Sequence, residues 1–230
     1  MTLSPELALW RKTQRSALLE RRCAASAADH ARWSAAIEAQ LRQAFVLDAP
    51  WVVGFCWPYQ AEFDARPFAA WLHARGVQTA LPVVVAKGQP LEFRAWWPGV
   101  AMAPGVYDIP VPVDTDVLVP DVLLVPPVGI GAAGDRLGYG GGFFDRTLAA
   151  IAPPPITIAT AFELSRVPTT HPQAHDILMD LVITEVGIEG LDDGALQRLD
   201  TVQAAARVQA LAQARSLPRA QMARVQMARA

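Results

Sequence analysis

Cysteine is nearly absent from this sequence: only Cys23 and Cys56 occur among 230 residues, and they form no Cys-x-x-Cys pair. This scarcity argues against a disulfide framework and against a thiolate zinc site. Long apolar runs are missing as well, so neither a transmembrane helix nor a signal peptide is predicted. The formal net charge is only −2, which gives no positive field suited to nucleic acid. We therefore expect a cytoplasmic protein without a membrane or nucleic-acid partner.

Apolar residues make up 52% of the sequence and charged residues 18%, which is enough for a substantial core. Helices are predicted over residues 5–23, 26–46, 64–75 and 143–151. Strands are predicted over residues 51–55, 77–85, 91–96, 122–125, 156–161 and 181–184. Their alternation predicts an α/β fold of three α/β/α layers around a central, mostly parallel sheet. Five prolines between residues 97 and 120 predict a loop there with little regular structure.

The C-terminal segment differs in composition from the rest. Residues 191–230 are rich in Ala, Gln and Arg, and Leu196, Leu199 and Val202 recur at helical spacing. We therefore divide the chain into an α/β domain, 1–190, and a helical extension, 191–230, that ends its helix near Pro218. A surface helix with few core contacts and a helix for partner docking or dimerisation are both possible. A monomer or weak homodimer is expected.

Residues 134–146 carry the most informative pattern, with five glycines between a predicted strand and a predicted helix. Glycine lets the backbone approach a ligand closely, and the N–H groups at the start of a helix suit phosphate. Arg136 adds a positive charge, and Asp145 in the first helical turn could hold Mg²⁺. The pattern is neither a Walker A loop nor a dinucleotide fingerprint. A phosphate site is favoured over a mobile surface loop.

Within this segment, Arg-Leu-Gly-Tyr-Gly-Gly-Gly-Phe-Phe-Asp at 136–145 resembles the Arg-Leu-Gly-x-Gly-x-Gly-Tyr-Tyr-Asp motif of the 5-formyltetrahydrofolate cyclo-ligases. Residues 57–64 resemble the family's Trp-Pro-x-x-x-Glu-x-Asp segment, and residues 175–180 resemble its C-terminal segment. The resemblance extends over about residues 5–187, in the expected order. It implies cyclisation of 5-formyltetrahydrofolate to 5,10-methenyltetrahydrofolate with ATP and Mg²⁺. ADP and phosphate are released after phosphorylation of the formyl oxygen.

The resemblance also implies roles for individual residues. Catalysis would involve Arg136 and Asp145, and Mg²⁺ would be held by Asp145 and Asp176. The nucleotide would be bound by Arg11, Arg15, Arg136, Leu137, Gly138, Tyr139, Gly140, Gly141, Gly142, Phe143 and Phe144. The folate would be bound by Trp57, Glu62, Tyr139 and Phe143.

Several alternatives stay open at this stage. Lys12 could replace Arg11 as the phosphate ligand, and both arginines of the first helix could belong to a solvated basic face. Trp57 could be a core residue, Glu62 a surface acid and Asp176 a turn cap. Phe143 and Phe144 stand where relatives usually have two tyrosines. A diverged paralogue that binds nucleotide or folate as a regulator is therefore an alternative, as is a sugar-phosphate or acyl-transfer enzyme on a similar scaffold.

Overall fold

The structure is a computed structural model, and it describes residues 4–45, 47 and 50–218. The helices are α1 Pro5–Cys23, α2 Ala27–Ala44, α3 Arg66–His73, α4 Phe143–Ala150 and α5 Thr201–Ala214. The strands are β1 Val52–Gly54, β2 Gln78–Val83, β3 Glu92–Trp96, β4 Met102–Pro104, β5 Pro110–Pro112, β6 Val117–Leu118, β7 Val122–Val125, β8 Gly129–Ile130, β9 Arg136–Leu137, β10 Ile156–Thr160, β11 Leu181–Thr184, β12 Gly187–Asp192 and β13 Ala195–Leu199. Residue 46 of the second predicted helix and residues 219–230 of the predicted extension lie outside the described residues.

Nine strands form the main sheet in the order β13-β12-β11-β10-β7-β1-β2-β3-β6. The five central strands, β11 to β2 in that order, pair in parallel. Pairs at both edges are antiparallel. All four residues of β7 are buried, as expected of a strand covered on both faces. The predicted α/β fold with a mostly parallel central sheet is confirmed, and its flanks are antiparallel.

Helices cover both faces of this sheet. Leu41 of α2, Leu72 of α3 and Val208 of α5 belong to one buried apolar cluster. Leu148 of α4 belongs to a second buried cluster. α1 packs elsewhere, because its Leu18 clusters with Val128, just before β8, and with Leu137 of β9. This position brings α1 beside the glycine-rich segment. No helix in the described ranges has the length and hydropathy needed to cross a bilayer.

The predicted helix through Leu196, Leu199 and Val202 is wrong at its start, because residues 195–199 form β13. This strand pairs with β12 in a hairpin, placing Leu196 opposite Leu191. Asp193 and Gly194, between the two strands, both have positive φ. Asp-Gly is one of the strongest signals for a two-residue hairpin turn. Leucines three residues apart are thus compatible with this strand as well as with a helix.

The helical part of the extension begins later, at α5. Its first turn has a capping box between Asp200 and Gln203. Ala204, Val208 and Ala212 are buried in the main core cluster, so the expectation of few core contacts is wrong. The boundary predicted at residue 190 falls within β12. Residues on both sides of it therefore contribute to one sheet and one core.

Two segments predicted as loops contain short strands. Between residues 97 and 120, β4 and β5 form a hairpin and β6 extends the main sheet. β8, which precedes the glycine-rich segment, and β9, which lies within it, form a second hairpin. The buried Asp135 carboxylate ties this hairpin to Thr170, whose N–H and hydroxyl both donate to it at 2.7 Å. The start of the glycine-rich segment is therefore part of an anchored hairpin and not an isolated surface loop.

Candidate active site

Two cavities meet where the glycine-rich segment leaves β9. One has a volume of about 440 Å³ and is mainly apolar. The other, the basic cavity, has a volume of about 330 Å³ and is lined by four arginines. Arg136, Gly138 and Asp145 line both cavities. Trp57 follows β1 and Pro127 follows β7, so the larger cavity opens at the carboxyl ends of parallel strands, the usual ligand position in open α/β sheets.

The basic cavity receives Arg11 from α1. The Arg11 Nη2 atom donates to the Asp176 carboxylate at 2.6 Å and to the His171 carbonyl at 2.9 Å. Burial alone would raise the pKa of Asp176, but the Gln173 N–H and the Arg11 guanidinium together hold it below its usual value. Arg11 is buried whereas Lys12 is exposed. The structure therefore places Arg11, and not Lys12, at the basic cavity.

A second Arg–Asp pair lies beside the first. Arg136 Nη2 donates to the Asp145 carboxylate at 2.6 Å, and Nη1 donates to the Ile177 carbonyl. The Ile177 N–H donates to the same Asp145 oxygen at 3.2 Å. Because Asp176 and Ile177 are consecutive, one short segment supports both pairs. The side chain of Asp145 lies in the first turn of α4, as predicted.

The side chain of Arg15 extends from α1 to the glycine-rich segment. Its Nε atom donates to the Gly138 carbonyl at 2.8 Å. A Cβ atom at Gly140 would lie only 3.2 Å from the Arg15 guanidinium carbon, and Gly140 has a φ of +95°. The positive φ favours glycine at this position, and a Cβ atom there would also press against the Arg15 guanidinium.

The cavity has an excess of positive charge. Its charged lining residues are four arginines and two aspartates: Arg11, Arg15, Arg136, Arg146, Asp145 and Asp176. Leu137, Gly138, Gly140 and Gly142 supply backbone to the same cavity. Four guanidinium groups around a small opening suit a polyphosphate, since arginine pairs with phosphate oxygens through parallel N–H groups.

The apolar cavity is built from segments that are distant in sequence. Trp57 and Glu62 follow β1, Phe143 and Phe144 begin α4, and the β4–β5 hairpin contributes residues 106–111. Gly141 and Tyr139 also line this cavity. The residues predicted to bind the nucleotide are thus divided between the two cavities. Tyr139, Gly141, Phe143 and Phe144 face the apolar side, while the arginines face the basic side.

Glu62 is the one buried acid of the described residues lining the apolar cavity, and only 3% of it is exposed. The Tyr139 hydroxyl donates to Glu62 Oε1 at 2.6 Å, and the Tyr59 N–H donates to Oε2 at 3.0 Å. Burial raises the pKa of Glu62 to about 7, against the opposing effects of Tyr139, Arg22 and Tyr59. The alternative of a surface acid is therefore excluded, and the carboxylate can change its charge near neutral pH.

Arg22, Tyr59 and Arg146 are among the residues near the cavities that were not predicted. Arg22 contacts the Tyr139 hydroxyl at 2.6 Å, Tyr59 lines the apolar cavity, and Arg146 lines the basic one. A sequence signal for Arg22 existed, because Arg11, Arg15, Leu18 and Arg22 recur at helical spacing on one face of α1. Of these four, Arg11, Leu18 and Arg22 are buried.

Comparison with known proteins agrees with this geometry. A sequence model of the 5-formyltetrahydrofolate cyclo-ligase family matches residues 8–185. The chain belongs to this family. The predicted membership, and with it an enzyme of the cyclo-ligase class, is confirmed. No curated protein sequence matches the chain.

Two solved structures share the fold. The NMR structure of the 5,10-methenyltetrahydrofolate synthetase from Aquifex aeolicus aligns with a TM-score of 0.68 and 23% identity, over 83% of this chain and 96% of that chain. A 5,10-methenyltetrahydrofolate synthetase from Mycoplasma pneumoniae aligns with a TM-score of 0.63 and 20% identity, over 76% of this chain and 98% of that chain. At these identities the likeness shows the fold.

Proposed function

We propose that this cyclo-ligase family member converts 5-formyltetrahydrofolate, ATP and Mg²⁺ to 5,10-methenyltetrahydrofolate, ADP and phosphate. One observation carries the proposal: a basic cavity and an apolar cavity meet at Arg136, Gly138 and Asp145. A phosphoryl donor in the first and a flat apolar acceptor in the second would meet at those three residues. Phosphoryl transfer asks a protein mainly to position the two partners and to neutralise charge.

The apolar cavity is suited to the folate ring system. The Glu62 carboxylate can accept hydrogen bonds from the pterin amino and ring N–H groups. Trp57 offers an aromatic surface at the edge of the same cavity, with the Arg66 guanidinium 4.5 Å from its ring centroid. Phe143 and Phe144 line the same cavity and directly precede Asp145, which lines both cavities. With the pterin held by these contacts, the formyl group would point toward Arg136, Gly138 and Asp145.

The proposed reaction has two steps. The formyl oxygen attacks the γ-phosphorus of ATP, ADP leaves, and a phosphorylated iminium is formed. The neighbouring anilino nitrogen then attacks the formyl carbon and loses its proton to solvent, and phosphate departs with the oxygen as the ring closes. Arg136 and Arg11 face the phosphoryl group from one side, where fixed positive charge stabilises the charge that develops during transfer.

The residues present fit a magnesium ion held mainly by the nucleotide. Among the residues that the structure describes, no group of three or more His, Cys, Asp and Glu could hold a metal ion together. Asp145 and Asp176 nevertheless line one cavity, and Mg²⁺ is commonly bound by one or two carboxylates together with phosphates and water. Bound there, Mg²⁺ would neutralise phosphate charge. Asp145 and Asp176 would hold it, in exchange for part of their contact with Arg136 and Arg11.

The proposal is tested by incubating the purified protein with its substrates and following the absorbance of the methenyl product. We expect product only when 5-formyltetrahydrofolate, ATP and Mg²⁺ are all present, with one ADP formed for each methenyl group. Calorimetry with each ligand alone should show separate binding of ATP–Mg²⁺ and of the folate. Binding of both ligands without product would favour the regulator alternative. No ATP binding would favour the sugar-phosphate or acyl-transfer alternative.

A further inference from the structure

Arg22 is a buried arginine that lies outside both cavities and yet contacts the segments that form them. Its side chain is 3% exposed. Nε donates to the Gln60 carbonyl at 2.9 Å, Nη1 to the Pro127 carbonyl at 3.2 Å, and Nη2 to the Tyr139 hydroxyl at 2.6 Å. One guanidinium therefore joins the segment after β1, the segment after β7 and the glycine-rich segment. A planar group with five fixed donors is suited to such a junction.

Arg22 also fixes the direction of the Tyr139 proton. A guanidinium can only donate, so the Tyr139 oxygen must accept from Arg22. The single hydroxyl proton is then left to point at Glu62 Oε1, which lies 2.6 Å from the Tyr139 oxygen. Arg22 Nη2 is itself 3.8 Å from the same Glu62 oxygen. The three side chains thus form a chain of defined polarity from cation to hydroxyl to carboxylate.

Groups from α1, α2, the glycine-rich segment and the loop after β1 lie around Glu62. Arg22 comes from α1, Tyr139 from the glycine-rich segment, and the Tyr59 N–H and Cys56 from the loop after β1. The His30 ring of α2 contacts the Glu62 carbonyl oxygen at 3.0 Å. Arg22 is the one permanently charged group in this set. Burial raises the pKa of Glu62, and the charge of Arg22 is one of the effects that oppose this rise and leave the pKa at about 7.

Tyr139 connects this cluster to the basic cavity through its own backbone neighbours. Its side chain lines the apolar cavity, while Gly138 and Gly140 line the basic cavity beside Arg15. Holding the Tyr139 hydroxyl therefore also holds the backbone that separates the two cavities. A shift of Tyr139 would change the distance between a nucleotide on one side and a folate on the other.

We propose that Arg22 is a positioning residue, which acts through the Tyr139 hydroxyl to orient the Glu62 carboxylate and to fix the backbone between the two cavities. This inference rests on the proposed function, in which Glu62 accepts hydrogen bonds from the pterin. Arg22 itself touches neither substrate. Its effect is therefore expected on folate recognition more than on ATP binding.

The test compares Arg22→Met, Tyr139→Phe and the double variant with wild type. The matched control is Arg21→Met, because Arg21 is the adjacent arginine of α1 and donates outside both cavities, to the Leu164 carbonyl. We expect the KM for 5-formyltetrahydrofolate to rise about tenfold in each single variant, with the KM for ATP changed less than about threefold. The double variant should lose little more than either single one, since both changes remove the same contact.

A pH profile separates positioning from simple structural support. Folate binding by the Glu62 carboxylate is lost as the pH falls through its pKa. Without the Arg22 cation this pKa is higher, so in Arg22→Met the loss of folate affinity should begin at higher pH than in wild type. Arg22→Lys keeps the positive charge but lacks the planar guanidinium group. It should restore the pH profile better than it restores the KM for folate.

The outcomes are distinguishable. Wild type without turnover overturns the proposed function, and the inference falls with it. Turnover in wild type, with an unchanged folate KM and pH profile in Arg22→Met, overturns the inference alone. Equal losses for ATP and folate, with an unshifted pH profile, would show a merely structural role. If Arg22→Met does not fold, Tyr139→Phe and Arg22→Lys decide, and an unchanged folate KM in both overturns the inference.

Discussion

The basic and apolar cavities share three residues but are built in different ways. The basic cavity relies on two Arg–Asp pairs, Arg11–Asp176 and Arg136–Asp145, whose groups point into one small opening. The apolar cavity relies on one buried acid, Glu62, whose pKa is set by burial and by contacts with Tyr139, Arg22 and the Tyr59 N–H. The Arg–Asp pairs of the basic cavity are permanent ion pairs, whereas the charge of Glu62 in the apolar cavity changes with pH.

This difference predicts different responses to mutation. Groups of the basic cavity would bind the nucleotide and meet charge that develops in phosphoryl transfer, so their loss should affect turnover or the KM for ATP. Groups of the apolar cavity would bind folate about equally well before and during transfer, so their loss should affect the KM for folate. The following changes are ordered by the size of the expected effect.

Asp145→Asn should have the largest effect. The amide keeps an oxygen for Arg136 and the Ile177 N–H, so the fold should be retained. The carboxylate charge proposed for Mg²⁺ is lost, and turnover should fall at least about a hundredfold. Turnover as a function of Mg²⁺ concentration measures this. Asp180→Asn is the control, because Asp180 pairs with Arg215 away from both cavities. Equal Mg²⁺ dependence in wild type and Asp145→Asn would contradict the metal assignment.

Arg11→Met should have the next largest effect. It removes a charge-assisted contact expected to be worth about 1.5–3 kcal/mol, so the KM for ATP should rise about 10- to 100-fold. Arg215→Met is the matched control, since Arg215 donates to Asp180 at 2.5 Å. The control should lower the melting temperature and leave the KM for ATP unchanged. The basic cavity would not be the nucleotide site if both variants bound ATP as wild type does.

Glu62→Gln should affect folate and not ATP, and it should change the response to pH. The pKa of Glu62 is raised from 4.5 to about 7 in the folded protein, so folding favours its protonated form. The stability that this preference contributes is fully present below pH 4.5 and is lost as the pH rises through 7. The loss is on the order of 3 kcal/mol. Urea unfolding should therefore show a flatter stability profile over this range in Glu62→Gln. An identical slope in both proteins would contradict the shifted pKa.

The parts of the fold that could be predicted from sequence are those with a local cause. Val122–Val125 is four consecutive apolar residues, and a strand buried on both faces explains them. β4 and β5 each have three residues and include prolines, so no local periodicity could reveal them. β13 had a local signal, the Asp193–Gly194 turn, but leucine spacing outweighed it in the prediction.

The two cavities also differ in how far local sequence signals could predict them. Much of the basic cavity lies in one contiguous motif, residues 136–146, with a second set of groups at helical spacing in α1. The apolar cavity joins residues near 57–62, 81–84, 106–111 and 125–127, and only the sheet order makes them neighbours. Arg22 could be found from its spacing to Arg11 and Arg15. Its contact with Tyr139 could not, because that contact spans 117 positions in sequence.

Phe143→Tyr should have the smallest effect, and it tests whether the apolar cavity works by shape alone. Phe143 lines this cavity, and the Arg146 guanidinium lies 5.4 Å from its ring centroid. A phenyl ring fills nearly the volume of a phenol ring and can still enclose the folate. A neutral hydrogen bond from an added hydroxyl is worth roughly 0.5–1.5 kcal/mol, so turnover should change by no more than about tenfold.

The measurement is turnover of methenyl product in wild type, Phe143→Tyr and Phe144→Tyr, with both substrates saturating. Phe144 also lines the apolar cavity, so its variant shows whether a hydroxyl acts through position or only through added polarity. Since Arg11, Arg136 and the nucleotide-bound Mg²⁺ would meet the larger charges, wild type should already turn over. An inactive wild type with strong turnover in Phe143→Tyr would show that the hydroxyl is indispensable. The natural protein would then fit the regulator alternative better than the enzyme.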